Sequence, residues 1–395
     1  MKRTLRYQCQ APLCLWRTCP DLSGGVGGKV KPANKLKYKR DWVVICLICN
    51  LVAMDIVFDD SSGKESLYPF TATRNAADIR IGILTIREKW ALMMTKPGFN
   101  EKPDSITVNA AIIPTENYVA TIVRGSVSDS EYEQTDSCIL KFLWNIFQLN
   151  DWALKKDFEL ITNNRTSHAI SSTNKTIAPE NIFIEEGAIV EHSLLNASTG
   201  PIYIGKNAEV MEGCMIRGPF ALCENAVLKM GAKVYGATTI GPNCIAAGEI
   251  KNSVLMANSN KAHDGYLGDS VLGEWCNLGA GTSNSNVKNT AGTVKAWNNA
   301  TKEYIPVGLK AGLMMGDYSR AAINTSFNTG TVVGVCCNIF GEGFPPKFVN
   351  DFTWGKERYT FEKVLQDIDN WKKFKGQHIT QTEINNLEIL YKQST

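Results

Sequence analysis

The chain has 395 residues, 44% hydrophobic and 21% charged, with a formal net charge of +3. That composition is ordinary for a globular protein and excludes bulk disorder, collagen-like and low-complexity classes. No apolar run reaches the roughly 18 residues that a membrane-spanning helix requires, so no membrane span is readable and no membrane partner is expected.

Charge is unevenly placed. Residues 1–53 hold ten Lys/Arg against two Asp/Glu, so the remainder is mildly acidic. A nucleic-acid binder carries its basic charge on the folded body, which argues against a nucleic-acid partner. The twelve cysteines are scattered and match no zinc spacing. They read as small buried hydrophobes in a reducing, cytoplasmic setting. Cys46 and Cys49 form a CxxC inside an apolar stretch with no second pair, so no metal site is assigned there.

Residues 1–53 look foreign to the rest of the chain: a Gly-rich patch at 23–28, a basic run at 35–40, then an apolar stretch at 42–52. They are expected to be an atypical basic extension, disordered or not native, with Met54 as the natural start. A targeting or membrane-surface segment is the other reading.

Residues 54–178 are expected to form a reduced α/β domain. Residues 56–58 form a short apolar strand. Residues 67–74 form a loop with polar and cationic groups. Residues 78–90 show apolar positions at helical spacing. Strand, Thr/Arg loop and helix together suit a phosphate held at a helix N-terminus, which makes Arg74 and Arg80 candidate substrate-binding cations; on these residues alone, surface charge or a local salt bridge is the favoured reading. Residues 106–113 read as a second strand, and 140–147 and 152–160 as helices.

From residue 182 a period of six takes over. Ile204, Val210, Ile216, Leu222, Leu228, Val234 and Ile240 are seven consecutive aliphatic sixth positions. A second phase runs Tyr266, Leu272, Leu278, and a third Met315, Ala321, Phe327, Val333, Ile339. Period six fits neither a 3.6-residue helix nor a two-residue strand. It fits a triangular solenoid in which each short parallel strand sends one aliphatic side chain into the prism and small or turn-forming residues take the corners. Residues 179–350 are assigned to it, with 287–314 ejected as a loop. Residues 351–395 read as a helical tail, with Thr380 and Glu383 as a capping box, that caps the solenoid or packs on a neighbour.

These residues carry a resemblance. The repeat resembles the hexapeptide left-handed parallel β-helix acyltransferases. His263-Asp264-Gly265-Tyr266-Leu267-Gly268-Asp269, then Asn277-Leu278-Gly279-Ala280-Gly281-Thr282, resemble the acetyltransferase half of the bifunctional N-acetylglucosamine-1-phosphate uridylyltransferase/glucosamine-1-phosphate acetyltransferase family. The front resembles a nucleotidyltransferase/acetyltransferase group with a reduced front domain, through Leu67-Tyr68-Pro69-Phe70-Thr71-Ala72-Thr73-Arg74 and residues 78–90. The resemblance implies a mainly β fold and a sugar-phosphate transferase of nucleotide-sugar metabolism. It implies His263 as catalytic base, Lys251, Tyr266, Asn277 and Asn286 as sugar-binding residues, and Ala280 as an acetyl-CoA contact. It further implies sugar phosphate and acetyl-CoA as substrates, a nucleoside triphosphate with Mg²⁺ if nucleotidyl transfer survives, and a homotrimer. Two departures stand out. Asp59-Asp60-Ser61-Ser62-Gly63 replaces the family's glycine-rich loop, and Asn109 stands where a metal-binding acid belongs. A non-catalytic trimeric scaffold or sugar-nucleotide-binding protein remains the alternative reading.

Overall fold

A computed structural model describes residues 55–96, 105–125, 132 and 134–394. The basic extension read at residues 1–53 lies outside the described residues, as does the CxxC within it.

The front region is small. Strand β1 (Asp55–Asp59) pairs in parallel with β4 (Ser105–Asn109). Between them lie a short hairpin, β2 (Arg80–Ile81) and β3 (Leu84–Thr85), and helix α1 (Ile86–Met94). Strand β5 (Ile112–Ile113), helix α2 (Glu116–Val123), strand β6 (Cys138–Ile139), and helices α3 (Asn145–Gln148) and α4 (Asn150–Thr162) complete it.

The helix expected over residues 78–90 starts instead at Ile86. Gly82 takes a left-handed φ of +74° and turns the chain into a hairpin. Thr85 then caps α1: its side chain accepts from the Glu88 amide, while Glu88 accepts the Thr85 N–H at 2.7 Å. A capping box outweighs apolar spacing as a start signal here. The strand read over 106–113 is two strands, because Asn109 Oδ1 accepts the Ala111 N–H at 3.0 Å and turns the chain. Of the helix read over 140–147 only the last residues are helical, as α3.

The rest is a parallel β-solenoid of about ten turns. Its first face runs from Lys175–Ile177 to Tyr266–Gly268, its second from Ile182–Ile184 to Phe348–Val349, its third from Ile189–Val190 to Glu357–Arg358. The aliphatic sixth positions from Ile204 to Ile240 and from Met315 to Ile339 are buried in one core. Tyr266 departs from its expected phase: it faces outward, and Leu267 fills the prism. Inward neighbours Ile216 and Val234 are 18 residues apart, but Val234 and Ile250 are 16 and Ile250 and Leu267 are 17, and these shorter coils shift the phase. The expected loop between 287 and 314 is an antiparallel hairpin, Val294–Asn298 with Glu303–Gly308.

One corner, between the second and third faces, has a left-handed residue in successive coils. In early coils it is Asn207, Asn225 and Asn243, a side chain that tolerates this conformation. In later coils it is Trp275, Tyr318, Cys336 and Phe352. These bulky groups form a buried cluster with Val364, Ile368 and Leu387 of helices α5 (Phe361–Phe374) and α6 (Gln381–Gln393). The tail therefore packs along this chain's own corner. Burial of several aromatics, each worth roughly 1.5–3 kcal/mol, exceeds the cost of about 1 kcal/mol or more for each left-handed non-glycine residue.

The front packs on the outer side of the second face, where Val254, Met256, Val271, Met314 and Val332 join Leu67, Phe70 and Ile79 in one core. Asn150 bridges the two parts: its Oδ1 accepts the Gly82 N–H at 2.7 Å and its Nδ2 donates to the Ala237 carbonyl at 2.9 Å. Residues 67–74 clip the same junction. Tyr68 donates to Asp351 at 2.5 Å, and Thr73 and Arg74 both donate to Asp317.

Candidate functional site

The coils around residues 249–286 carry most of the candidate residues, and the register sorts them into three places. His263 is exposed, on the corner between third-face strand Asn260–Lys261 and first-face strand Tyr266–Gly268. Ala280 occupies the same corner one coil along, where the Gly281 N–H donates to the Asp264 carbonyl at 3.1 Å. Small residues keep this corner tight. A side chain on Gly248 would meet the His263 carbonyl oxygen at 2.9 Å, and one on Gly279 would meet the Ala322 backbone at 2.6 Å.

Lys251 and Tyr266 stand on the first face and Asn286 at its far end. The Tyr266 ring lies across Gly268, where a Cβ would overlap its hydroxyl. Asn286 donates to the Tyr266 hydroxyl at 3.0 Å and also to Asp269. Asn252 donates to the other Asp269 oxygen at 2.7 Å. The Lys251 ammonium sits over the Tyr235 ring at 5.8 Å. Burial, with the charge of Asp269 beside it, holds the Tyr266 phenol protonated well above the usual range. The hydrogen bond to Glu249, aided by burial, pushes Tyr235 up to about 12. This face thus combines hydroxyl, amide, carboxylate and ammonium groups that suit a hydroxylated, phosphorylated ring.

Asn277 lies elsewhere. It is on the third face, between Asn260 and Arg320 in the ladder, on the other side of the His263 corner from Tyr266. The end of α5 leans on this face: Lys375 donates to Asn260 Oδ1 at 3.1 Å, and Trp371 stacks over the Arg320 guanidinium at 5.3 Å.

Arg74 and Arg80 are drawn into the junction. Arg74 is buried against Asp317, with Glu274 at 3.4 Å. Arg80 donates to the Ile83 carbonyl and reaches Glu88 at 3.3 Å. The N-terminus of α1 carries its own anion, Glu88. Both arginines therefore have internal partners, and neither stands beside Lys251 or His263.

Three contributors are not evident in the sequence. Asp269 and Tyr235 become visible only once the coil register is known, because their partners are a coil away. Lys261 is the third. It takes the inward position that Ala246 holds in the neighbouring coil and is almost wholly buried. Its ammonium donates to the backbone carbonyl of His263 and to that of Ala247. Burial brings its pKa down to about 8.

A magnesium ion would need several oxygen ligands with near-octahedral geometry. At the ends of β1 and β4 the opposed pair is Asp59 and Asn109. The Asp59 carboxylate accepts the Ser61 N–H at 2.9 Å, which holds its pKa below the ordinary value, and the Asn109 oxygen is committed to its turn. Among the described residues no group of three or more His, Cys, Asp or Glu side chains is placed to hold a metal. The donor set does not fit the ion. Among the same residues no helix is long and apolar enough to cross a membrane.

Residues 55–130 match the model of the sugar nucleotidyl transferase family. The chain is 26% identical over 339 residues to "Bifunctional protein GlmU" of Methanocaldococcus jannaschii, covering 78% of this chain and 75% of the relative. It is 27% identical over 321 residues to "Bifunctional sugar-1-phosphate nucleotidylyltransferase/acetyltransferase" of Sulfurisphaera tokodaii, covering 74% of this chain and 69% of that one. A shorter stretch of 104 residues is 38% identical to GlmU of Gloeothece citriformis, 26% of this chain and 21% of the relative. With the solenoid and its front region, these matches define a transferase of the nucleotide-sugar class. Within that class the chain is a relative of the GlmU-like bifunctional enzymes.

Proposed function

We propose that the solenoid transfers an acetyl group from acetyl-CoA to the amine of an amino-sugar 1-phosphate. One observation carries the reading: exposed His263 shares its corner with Ala280, and the adjoining face presents Tyr266, Asn286 and Lys251 as a polar platform. The amine nitrogen attacks the thioester carbonyl carbon. The ring nitrogen of His263 takes the proton that the amine must lose, the C–S bond breaks, and the thiolate leaves and is reprotonated. A histidine has the appropriate basicity for that transfer near neutral pH. Lys251 holds the sugar phosphate, Tyr266 and Asn286 its hydroxyls, and the Ala280 backbone amide, between the bonded amides of Gly279 and Gly281, stabilises the oxyanion. Asn277 orients ligand from the third-face side of that corner.

The reading includes a homotrimer in which copies share their first faces. Ile177, Leu194 and Met215 on that face are 56%, 49% and 43% exposed, an apolar strip next to the platform that favours association. A cytoplasmic setting accompanies substrates of this kind. A second reading, nucleotidyl transfer in the front region with a nucleoside triphosphate, is favoured by the family match over residues 55–130.

The test is acetyl-CoA-dependent thiol release with glucosamine 1-phosphate, comparing wild type with His263→Ala. Pyrophosphate release from UTP and N-acetylglucosamine 1-phosphate, run in parallel, tests the second reading.

A further inference from the structure

A cavity of about 660 Å³ lies away from the His263 corner, within the size range of small-molecule sites. Four separate parts of the chain line it: the loop after β1 (Lys64, Tyr68), the ejected hairpin (Trp297, Lys302), the last coil (Asp351) and the end of α6. Convergence of four segments on one concavity is what positions recognition groups, and its lining is chemically mixed.

Two cations line it without a salt-bridge partner. Neither Lys64 nor Lys302 forms an ion pair among the described residues. Lys302 donates only to the Asn299 side-chain oxygen, at 2.8 Å, and the Asn299 amide is held from the other side by Glu65 at 2.6 Å. An aromatic wall stands beside them: Trp297 stacks on Phe348 at 4.6 Å and 18°. The Trp297 indole N–H is buried with no hydrogen-bond partner. At the base is a carboxylate, Asp351. Both its protein donors, the Tyr68 hydroxyl at 2.5 Å and the Val335 N–H at 2.6 Å, go to Oδ1. Among the described residues Oδ2 accepts no hydrogen bond, and Asp351 is half-buried. Gly334 makes this possible, since a side chain there would meet both Oδ1 and the Tyr68 hydroxyl.

We infer that this cavity binds a phosphorylated sugar, free or nucleotide-linked, with the phosphate at Lys64 and Lys302, the ring against Trp297, and a ring hydroxyl on Asp351 Oδ2. Paired lysines suit phosphate. An indole face suits the apolar side of a pyranose or a base. A carboxylate in the cavity lining suits a sugar hydroxyl, since it is an acceptor with lone pairs beyond those its two protein donors use. The inference shares no residue with the acetyl-transfer reading, so each can fail alone.

The test is isothermal titration of the full chain with UDP-N-acetylglucosamine, N-acetylglucosamine 1-phosphate and inorganic phosphate. Saturable binding of a sugar phosphate is expected, weakened at least about tenfold by Lys64→Ala/Lys302→Ala and by Trp297→Leu, but unchanged by Lys206→Ala, an exposed lysine on a solenoid corner outside both sites. The lysine pair is at the surface, so that variant keeps the fold, checked by an unchanged melting temperature. Asp351→Asn should weaken the sugar phosphates and leave inorganic phosphate unaffected. Binding insensitive to the lysine pair, or equally weakened by Lys206→Ala, overturns the assignment. So does the absence of binding by wild type at millimolar ligand. Equal affinity for inorganic phosphate and the sugar phosphates would reduce the site to a plain anion site and overturn the sugar.

Discussion

Lys261 donates from inside the solenoid to the backbone carbonyl of His263, two residues along the chain. Its side chain takes an inward place, with Ala246 beside it in the ladder. Burial brings its pKa down to about 8. The unfolded chain therefore binds more protons than the fold between about pH 8 and the ordinary lysine value, and stability gains from this group as pH rises through that window. Below pH 8 the fold carries the full cost of a buried charge. Lys261→Met should remove the cost at neutral pH. Its stability relative to wild type, from urea unfolding, should then shrink between pH 8 and 10.5 by up to roughly 3 kcal/mol. A difference that stays flat across that window would show that Lys261 is not a buried ammonium.

Tyr266 and Gly268 form a second close pair, the ring lying over the glycine. Tyr266→Phe keeps the ring and loses the hydroxyl that Asn286 donates to. The KM for the amino-sugar phosphate should rise roughly three- to tenfold, the loss of one hydrogen bond of about 1 kcal/mol, with the melting temperature unchanged. Steady-state kinetics check this, and an unaltered KM would remove Tyr266 from the platform.

Gly82 is the pivot of the front hairpin. At its φ of +74° an added Cβ would come within 2.8 Å of the Ala153 backbone and overlap the Asp157 carboxylate. That carboxylate is the buried partner of Lys89 and accepts the Ile83 and Leu84 N–H groups at 2.7 and 3.0 Å. Gly82→Ala should destabilise by at least about 2 kcal/mol, measured by urea unfolding. A loss under about 0.5 kcal/mol would contradict the packing described.

Much of the solenoid is legible in sequence because one aliphatic residue per strand must enter a narrow prism. Seven successive sixth positions state that requirement directly. The pattern fails between Val234 and Leu267 for two physical reasons: the coils are shortened, and a lysine fills an inward place. Those irregular coils carry the candidate site. Motif residues there, Asp269 included, are nameable from resemblance, but the parts that Asp269 and Tyr235 play are not, since they depend on contacts one coil away. On its Thr and Arg alone, the loop 67–74 reads as ligand-facing. Its partners Asp317 and Asp351 lie 243 and 283 residues further on, a separation no local pattern reveals.

Arg74 offers a test of that point. If it serves as a clip, Arg74→Leu and Asp317→Asn should be non-additive, with a coupling of roughly 1–3 kcal/mol in unfolding. Additive effects would free Arg74 for a role at a ligand.

If His263 is the base for acetyl transfer, acetyl-CoA-dependent thiol release with glucosamine 1-phosphate depends on it. Wild type should turn over, and His263→Ala should lose about 10²–10⁴-fold in kcat while remaining folded. Full activity in His263→Ala, or no thiol release from wild type, would contradict it.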